Sequence, residues 1–153
     1  MNRLDAITDL VLETFRLNGR LLAAGDELVA GLGLTSARWQ VLGAIALSAV
    51  PLPVSHIARN MGLTRQAVQR LVNEMSRSGL VRFGANPHHR RAKLVLLTPR
   101  GKAAYDAAMK LQIPWAEELA GGLNGKEIGA AAATLRAVRR RLDRKAEPGE
   151  SDA

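Results

Sequence analysis

Cysteine is absent from this 153-residue chain. Its absence removes disulfides, thiolate metal sites and thiol redox sensing together. No apolar run reaches the ~20 residues that a membrane span needs. The N-terminus carries early carboxylates, Asp5 and Asp9, and no signal-peptide pattern, so a cytoplasmic chain with no membrane partner is expected. Also missing are a Gly-rich phosphate loop, paired carboxylates and a Ser/His/Asp arrangement, so no catalytic residues, no cofactor and no enzyme are expected. Carboxylates nearly vanish from residues 54–100, where Glu74 stands alone against Arg59, Arg65, Arg70, Arg77, Arg82, Arg90, Arg91, Lys93 and Arg100. Nine cations against one carboxylate leave +8, the formal charge of the whole chain, so the remainder sums to zero. Such a concentration is the footprint of a polyanion-binding surface. A membrane surface fits less well, because the aromatic and leucine face of an interfacial helix is missing.

What is present inside that basic stretch is a pattern of short helices. Thr64 reads as an N-cap, and Val68, Leu71, Val72 and Met75 after it make one apolar stripe at i, i+3, i+4 and i+7. Arg65, Gln66, Gln69, Arg70 and Asn73 fall off the stripe and face outward. Arg can donate twice to guanine and Gln can pair bidentately with adenine, so this face suits base edges. Before it, Val54, Ile57, Ala58 and Met61 form a second stripe, and Gly62-Leu63 make the tight turn of a helix-turn-helix. After it, Gly79 ends the helix. Residues 81–83 and 93–97 read as strands around the basic, turn-forming loop 84–91. A helix-turn-helix followed by a hairpin with a basic tip is a winged helix.

Flanking helices complete the chain. Leu4, Ile7, Val11, Phe15, Leu21, Leu22, Leu28 and Val29 recur at helical spacing over residues 4–30, with Gly19 and Gly25 expected to interrupt them and Gly31 and Gly33 to end them. Thr35 caps the next helix, to about Ala49, with Trp39, Leu42, Ile45 and Ala46 facing inward. The piece between Pro51 and Pro53 is extended and available as a third strand. Thr98 and Pro99 start another helix, with Pro114 inside it. Gly121, Gly122 and Gly125 then separate a last helix, whose Ile128, Ala132, Leu135, Val138 and Leu142 make a narrow seam suited to helix-on-helix association. Its Arg139, Arg140, Arg141, Arg144 and Lys145 read as a solvated face near a helix C-terminus. The expected fold is mainly α with a small β-hairpin wing (α+β). It divides into an N-terminal dimerisation helix (1–33), a winged helix-turn-helix (34–98), C-terminal dimerisation helices (99–146) and a polar, disordered tail (147–153).

This order of elements resembles the MarR family of bacterial transcription regulators. The likeness rests on residues 34–42 (LTSARWQVL), the helix 64–79 ending in Ser78-Gly79-Leu80-Val81, and the wing. The family's wing signature, an Asp, any residue, an Arg, five residues and Leu-Thr, is matched by His89-Arg90-Arg91 and, five residues on, Leu97-Thr98. His89 stands where the family has the Asp that pairs with the Arg. The resemblance implies a homodimer joined through the N- and C-terminal helices. It also implies a repressor released by a small aromatic or phenolic acid. The pocket would lie where the dimer helices meet the winged helix, drawing on Phe15, Arg16, Arg20, Trp39, Tyr105 and Met109. Alternatively, Phe15, Trp39 and Tyr105 are ordinary core in a chain with only 3% aromatics.

Contacts to double-stranded DNA sort into readers and positioners. Arg65, Gln66, Gln69 and Arg70 are the readers. Thr64 and Ser55 are phosphate donors at helix N-termini. Arg90 and Arg91 reach the minor groove or its phosphates, Arg91 having a second reading as the wing's brace, and Arg38 touches a phosphate from the second helix. Arg59, Arg77 and Arg82 read as solvated charges. No metal site is expected from His56, His88 and His89, since sequence neighbours rarely converge on one ion. His88 and His89 fit wing-tip residues that strengthen DNA binding in mild acid. A two-fold dimer would set two recognition helices about 34–36 Å apart on a pseudo-palindromic site. The competing function is a DNA-organising protein with weak sequence preference and no inducer, which needs only phosphate contacts. A protein- or RNA-binding winged helix is the third.

Overall fold

The computed structural model describes residues 1–146; the expected tail, 147–153, lies outside the described residues. The chain forms two compact units, divided between Ile113 and Pro114. Among the described residues no single helix is long and apolar enough to cross a membrane.

The first unit opens with α1 (Arg3–Val29), capped by Asn2, whose side chain accepts from the backbone N of Leu4 and Asp5 at 2.8 and 2.9 Å. Gly19 and Gly25 do not interrupt α1, contrary to the sequence expectation. Gly25 serves a close approach instead: a Cβ there would sit 2.3 Å from Ser36 Oγ. Ser36 opens α2 (Ser36–Ala46), donating its hydroxyl to Leu22 O at 2.6 Å and its backbone N–H to Asp26 Oδ1 at 2.7 Å. The last turns of α1 are thus bolted to the first turn of α2. A 3-10 turn (Ala30–Leu32) and Gly33, at φ 69°, make the corner between them.

Thr35 caps α2 as expected, accepting from Arg38 N at 3.2 Å. The helix ends at Ala46 rather than Ala49, and Ala46 is exposed rather than inward-facing. Val41 and Leu42 are its fully buried side chains, with Trp39 and Ile45 packed against the same core. The reason is that α2 is enclosed from several sides. It contacts α1, α3 (Val54–Met61), α4 (Arg65–Arg77) and the sheet, so its buried arc is broader than one stripe and centres on Val41 and Leu42.

Val54, Ile57 and Ala58 bury the inner face of α3, and Val68, Val72 and Met75 that of α4. At 13 residues α4 would be marginal alone. Burial of its apolar side chains, each contributing about 1.5–3 kcal/mol, holds it helical. The turn between the two helices uses Gly62 at φ 66°, with Leu63 N donating to Ala58 O at 3.0 Å. The exit from α4 repeats the device: Gly79 has φ 76°, Gly79 N donates to Ser76 O and Leu80 N to Met75 O, a Schellman motif.

Three antiparallel strands follow the order β1-β3-β2, from β1 (Leu52–Pro53), β2 (Val81–Gly84) and β3 (Leu94–Leu97). The short piece before α3 therefore does become a third strand, Leu52 pairing Val95. Between β2 and β3, Phe83 faces Val95 and Gly84 faces Leu94. Thr98 caps α5 (Pro99–Ala120), accepting from Gly101 N at 3.0 Å while donating to Gly79 O at 2.6 Å. Pro114 lies inside α5, at the division between the units. The second unit holds the rest of α5, a turn with Gly122 at φ 77°, and α6 (Gly125–Ala146), which has no buried residue of its own.

Candidate nucleic-acid interface

Five of the nine basic residues of the centre, Arg65, Arg70, Arg77, Arg91 and Lys93, gather along α4. Thr64 caps this helix by accepting from Ala67 N at 3.1 Å, which leaves its hydroxyl hydrogen free to donate outward. Packing of Val68, Val72 and Met75 inward forces Arg65, Gln66, Gln69, Arg70 and Asn73 outward, and all five are exposed. Between this face and the wing runs a groove of about 690 Å³, lined among others by Ser55, Arg65, Gln69, Asn73, Phe83, His89, Arg91 and Lys93. No carboxylate lines it. A second, shallower groove on the other side of the same helix is lined by Arg65, Gln66, Gln69, Arg70, Asn73 and Arg77. A polyanion laid along α4 would meet cations on both flanks.

The wing is held by a side chain the sequence did not single out. Asn86 Nδ2 donates to Ala92 O at 2.8 Å and its Oδ1 accepts from His88 N at 3.0 Å. His89 N donates to Asn86 O, and Ala92 N to His89 O, closing the tip into a compact turn. Among the described residues Arg91 has no ion pair, and it lines the groove with His89. Arg90 is exposed at the tip and outside the groove lining.

Arg38 stands apart from the groove. Its guanidinium lies 3.9 Å from Glu74 Oε2, with the Arg38 side chain 24% exposed, linking α2 to the back of α4. The single carboxylate of residues 54–100 is thereby turned toward α2, away from the cationic groove.

Among the described residues, the six expected ligand-site residues differ in their surroundings. Phe15 is 72% exposed on α1, and Arg16 pairs with Glu13 on the same helix. Arg20 is exposed, whereas Trp39 and Tyr105 pack against the core and Met109 is half-buried. Neither groove beside α4, nor a shallow one between α2 and α3, is lined by any of the six.

The sequence puts Asn73 on the outward face of this helix and Lys93 in the basic stretch, but assigns neither a DNA contact. Asn73 was recoverable, since it lies at i+4 from Gln69 and i+8 from Arg65 on the same helical face. Lys93 joins only through the fold of the hairpin, for which spacing along the chain gives no signal.

Comparison with known proteins agrees with this geometry. A model described as MarR family matches residues 32–92. The chain is 35% identical over 132 residues to the uncharacterized protein Rv2011c of Mycobacterium tuberculosis, covering 86% of this chain and 91% of the relative. It is 26% identical over 113 residues to the transcriptional activatory protein BadR of Rhodopseudomonas palustris, covering 72% of this chain and 65% of that protein. Among solved structures, the M. tuberculosis transcriptional regulator MosR in complex with DNA superposes with a TM-score of 0.72 at 27% identity, covering 86% of this chain and 96% of that one. With the helix-turn-helix, the wing and the cationic groove in place, the chain belongs to the MarR family, as a DNA-binding transcription regulator and not an enzyme.

Proposed function

We propose that this regulator acts as a homodimeric repressor on a pseudo-palindromic operator, released by a small aromatic or phenolic acid. The observation that carries the DNA-reading part is the carboxylate-free groove joining Arg65, Gln69 and Asn73 of α4 to His89, Arg91 and Lys93 of the wing. In this reading α4 enters the major groove and Arg65, Gln66, Gln69 and Arg70 meet base edges. Thr64 and Ser55 contact phosphates, Arg90 and Arg91 follow the adjacent minor groove, and Arg38 supports α4 through Glu74. Residues 34–98 form the reading module, and residues 1–33 and 99–146 join two copies.

The dimer is supported by apolar surface with no cover in a single chain. On α1, Leu4, Ile7, Val11, Phe15 and Leu22 are exposed and fall on one helical face. On α6, Ile128, Leu135 and Leu142 are exposed at heptad intervals. Contiguous apolar faces of this kind mark interaction surfaces. Two copies would place their recognition helices about 34–36 Å apart, one helical turn of DNA. A ligand site using Phe15, Arg16, Arg20, Trp39, Tyr105 and Met109 needs further walls, which the second copy supplies. The name of BadR favours activation as the second reading of the regulatory sign.

A gel-shift competition tests the proposal. Protein is bound to its promoter-proximal DNA against random duplex at about 150 mM salt, where nonspecific binding is weak at roughly 10⁻⁴–10⁻⁶ M. A complex that survives random competitor is expected, and aromatic acids are then screened for release. Equal competition by random DNA would replace this reading with a DNA-organising one.

A further inference from the structure

Gln69 and Asn73 are joined side chain to side chain: Gln69 Nε2 donates to Asn73 Oδ1 at 3.0 Å. Both line both grooves beside α4, so the bonded pair faces whatever lies against the helix. We infer that Asn73 is a specificity-determining positioning residue, which fixes the polarity of the Gln69 amide so that the pair reads one A·T base pair as a unit. The inference rests on the sequence-reading function proposed above.

A free glutamine amide rotates, presenting its oxygen or its nitrogen at a given spot with little preference. A bond to Asn73 Oδ1 holds the Gln69 NH2 toward the C-terminal end of α4 and leaves Oε1 pointing away from it. One Nε2 hydrogen goes to Asn73 and the other remains. The free edge of Gln69 is then one acceptor beside one donor, the complement of the adenine N6–H and N7 in the major groove. Arg65, Gln69 and Asn73 succeed one another at i, i+4 and i+8, a row about 12 Å long at 1.5 Å per residue. Such a row spans about three to four base-pair steps at 3.4 Å each. Guanine is the expected partner of Arg65 at one end, and adenine that of Gln69 at its centre.

The test selects preferred sites from a random duplex library with the intact wild-type protein. Affinities for the selected site and for its single-base variants are then measured with wild type, Gln69→Ala, Asn73→Ala, Asn73→Asp and the double alanine variant. Asn73→Ala is expected to relax the adenine preference at the same position as Gln69→Ala, by on the order of tenfold, as the loss of one bidentate contact does. The double variant should relax it no further, since the two act as one unit. Asn73→Asp keeps the acceptor for Gln69 while adding charge near phosphates. It should weaken binding to every sequence and retain the adenine preference, a split that a merely structural role would not produce. Wild-type preference at every position in Asn73→Ala, or additive losses in the double variant, overturns the inference while leaving sequence reading intact. A wild-type protein that selects no preferred site overturns both.

Discussion

At Arg65 and Gln69 the side chains point out from a helix whose other face is fully buried, so truncation there changes contacts without changing the fold. Arg65→Ala or Gln69→Ala is expected to cost about 1–3 kcal/mol on the specific site and less on random duplex. Anisotropy titrations on both duplexes measure the difference; equal losses would make the residue a positioner. Arg90, outside the groove at the wing tip, should behave oppositely. Arg90→Ala should weaken all sequences alike and flatten the salt dependence by about one unit of slope, and an unchanged slope would remove Arg90 from the phosphate contacts. Residue types and their helical phase were enough to nominate Arg65, Gln66, Gln69 and Arg70, because phase alone decides which side chains leave a packed helix. The partners of Arg38 and Asn86 were not legible. Arg38 meets Glu74 across two helices, and Asn86 meets Ala92 across a turn, so both depend on chain reversals that composition does not encode.

Elements were legible wherever a local chemical signal marks a boundary. Thr35, Thr64 and Thr98 cap the helices they were expected to cap, and Gly62 and Gly79 adopt the left-handed conformation that ends a helix. Close approach between elements gives no such signal, and the glycines that permit it cannot be told from others by sequence. Gly25 by sequence suggests a helix interruption and is instead the seat of Ser36. Gly101 is the more stringent case: a Cβ on it would lie 1.9 Å from the backbone oxygen of Leu80. Leu80 O also accepts from Thr98 N, so the carbonyl is held from both sides and cannot move alone. Gly101→Ala is expected to destabilise the fold by about 1–3 kcal/mol or more, the cost of forcing atoms into a packed site. Urea denaturation would show it as a lower midpoint at unchanged slope. Wild-type stability in Gly101→Ala would mean that α5 slides freely against the strand entry, contrary to the Thr98 cap geometry.

For the whole molecule, the first unit has a core, while much of α1 and all of α6 stay outside any core. In α1 only Gly25 and Val29 are buried, although the helix runs from Arg3. A 27-residue helix with Leu4 at 73% and Phe15 at 72% exposure is poorly explained as cover for a winged helix, and well explained as half of an interface. Phe15→Glu separates the two explanations. On a solvated surface it would change stability by no more than about 0.5 kcal/mol and leave the molecular mass untouched. At an interface it buries an unpaired carboxylate against apolar side chains, which is costly enough to dissociate the copies. The wild-type chain of 16.4 kDa is therefore expected to sediment at twice its mass, with a melting temperature that rises with protein concentration. Phe15→Glu should sediment as the single chain and lose that concentration dependence. It should also lose affinity for a two-half-site duplex while keeping the weak affinity of one half-site, because α4 and the wing do not involve Phe15. A variant that remains dimeric would place the joining surface elsewhere, and a wild-type protein that sediments as a monomer would remove the two-fold geometry on which half-site spacing depends.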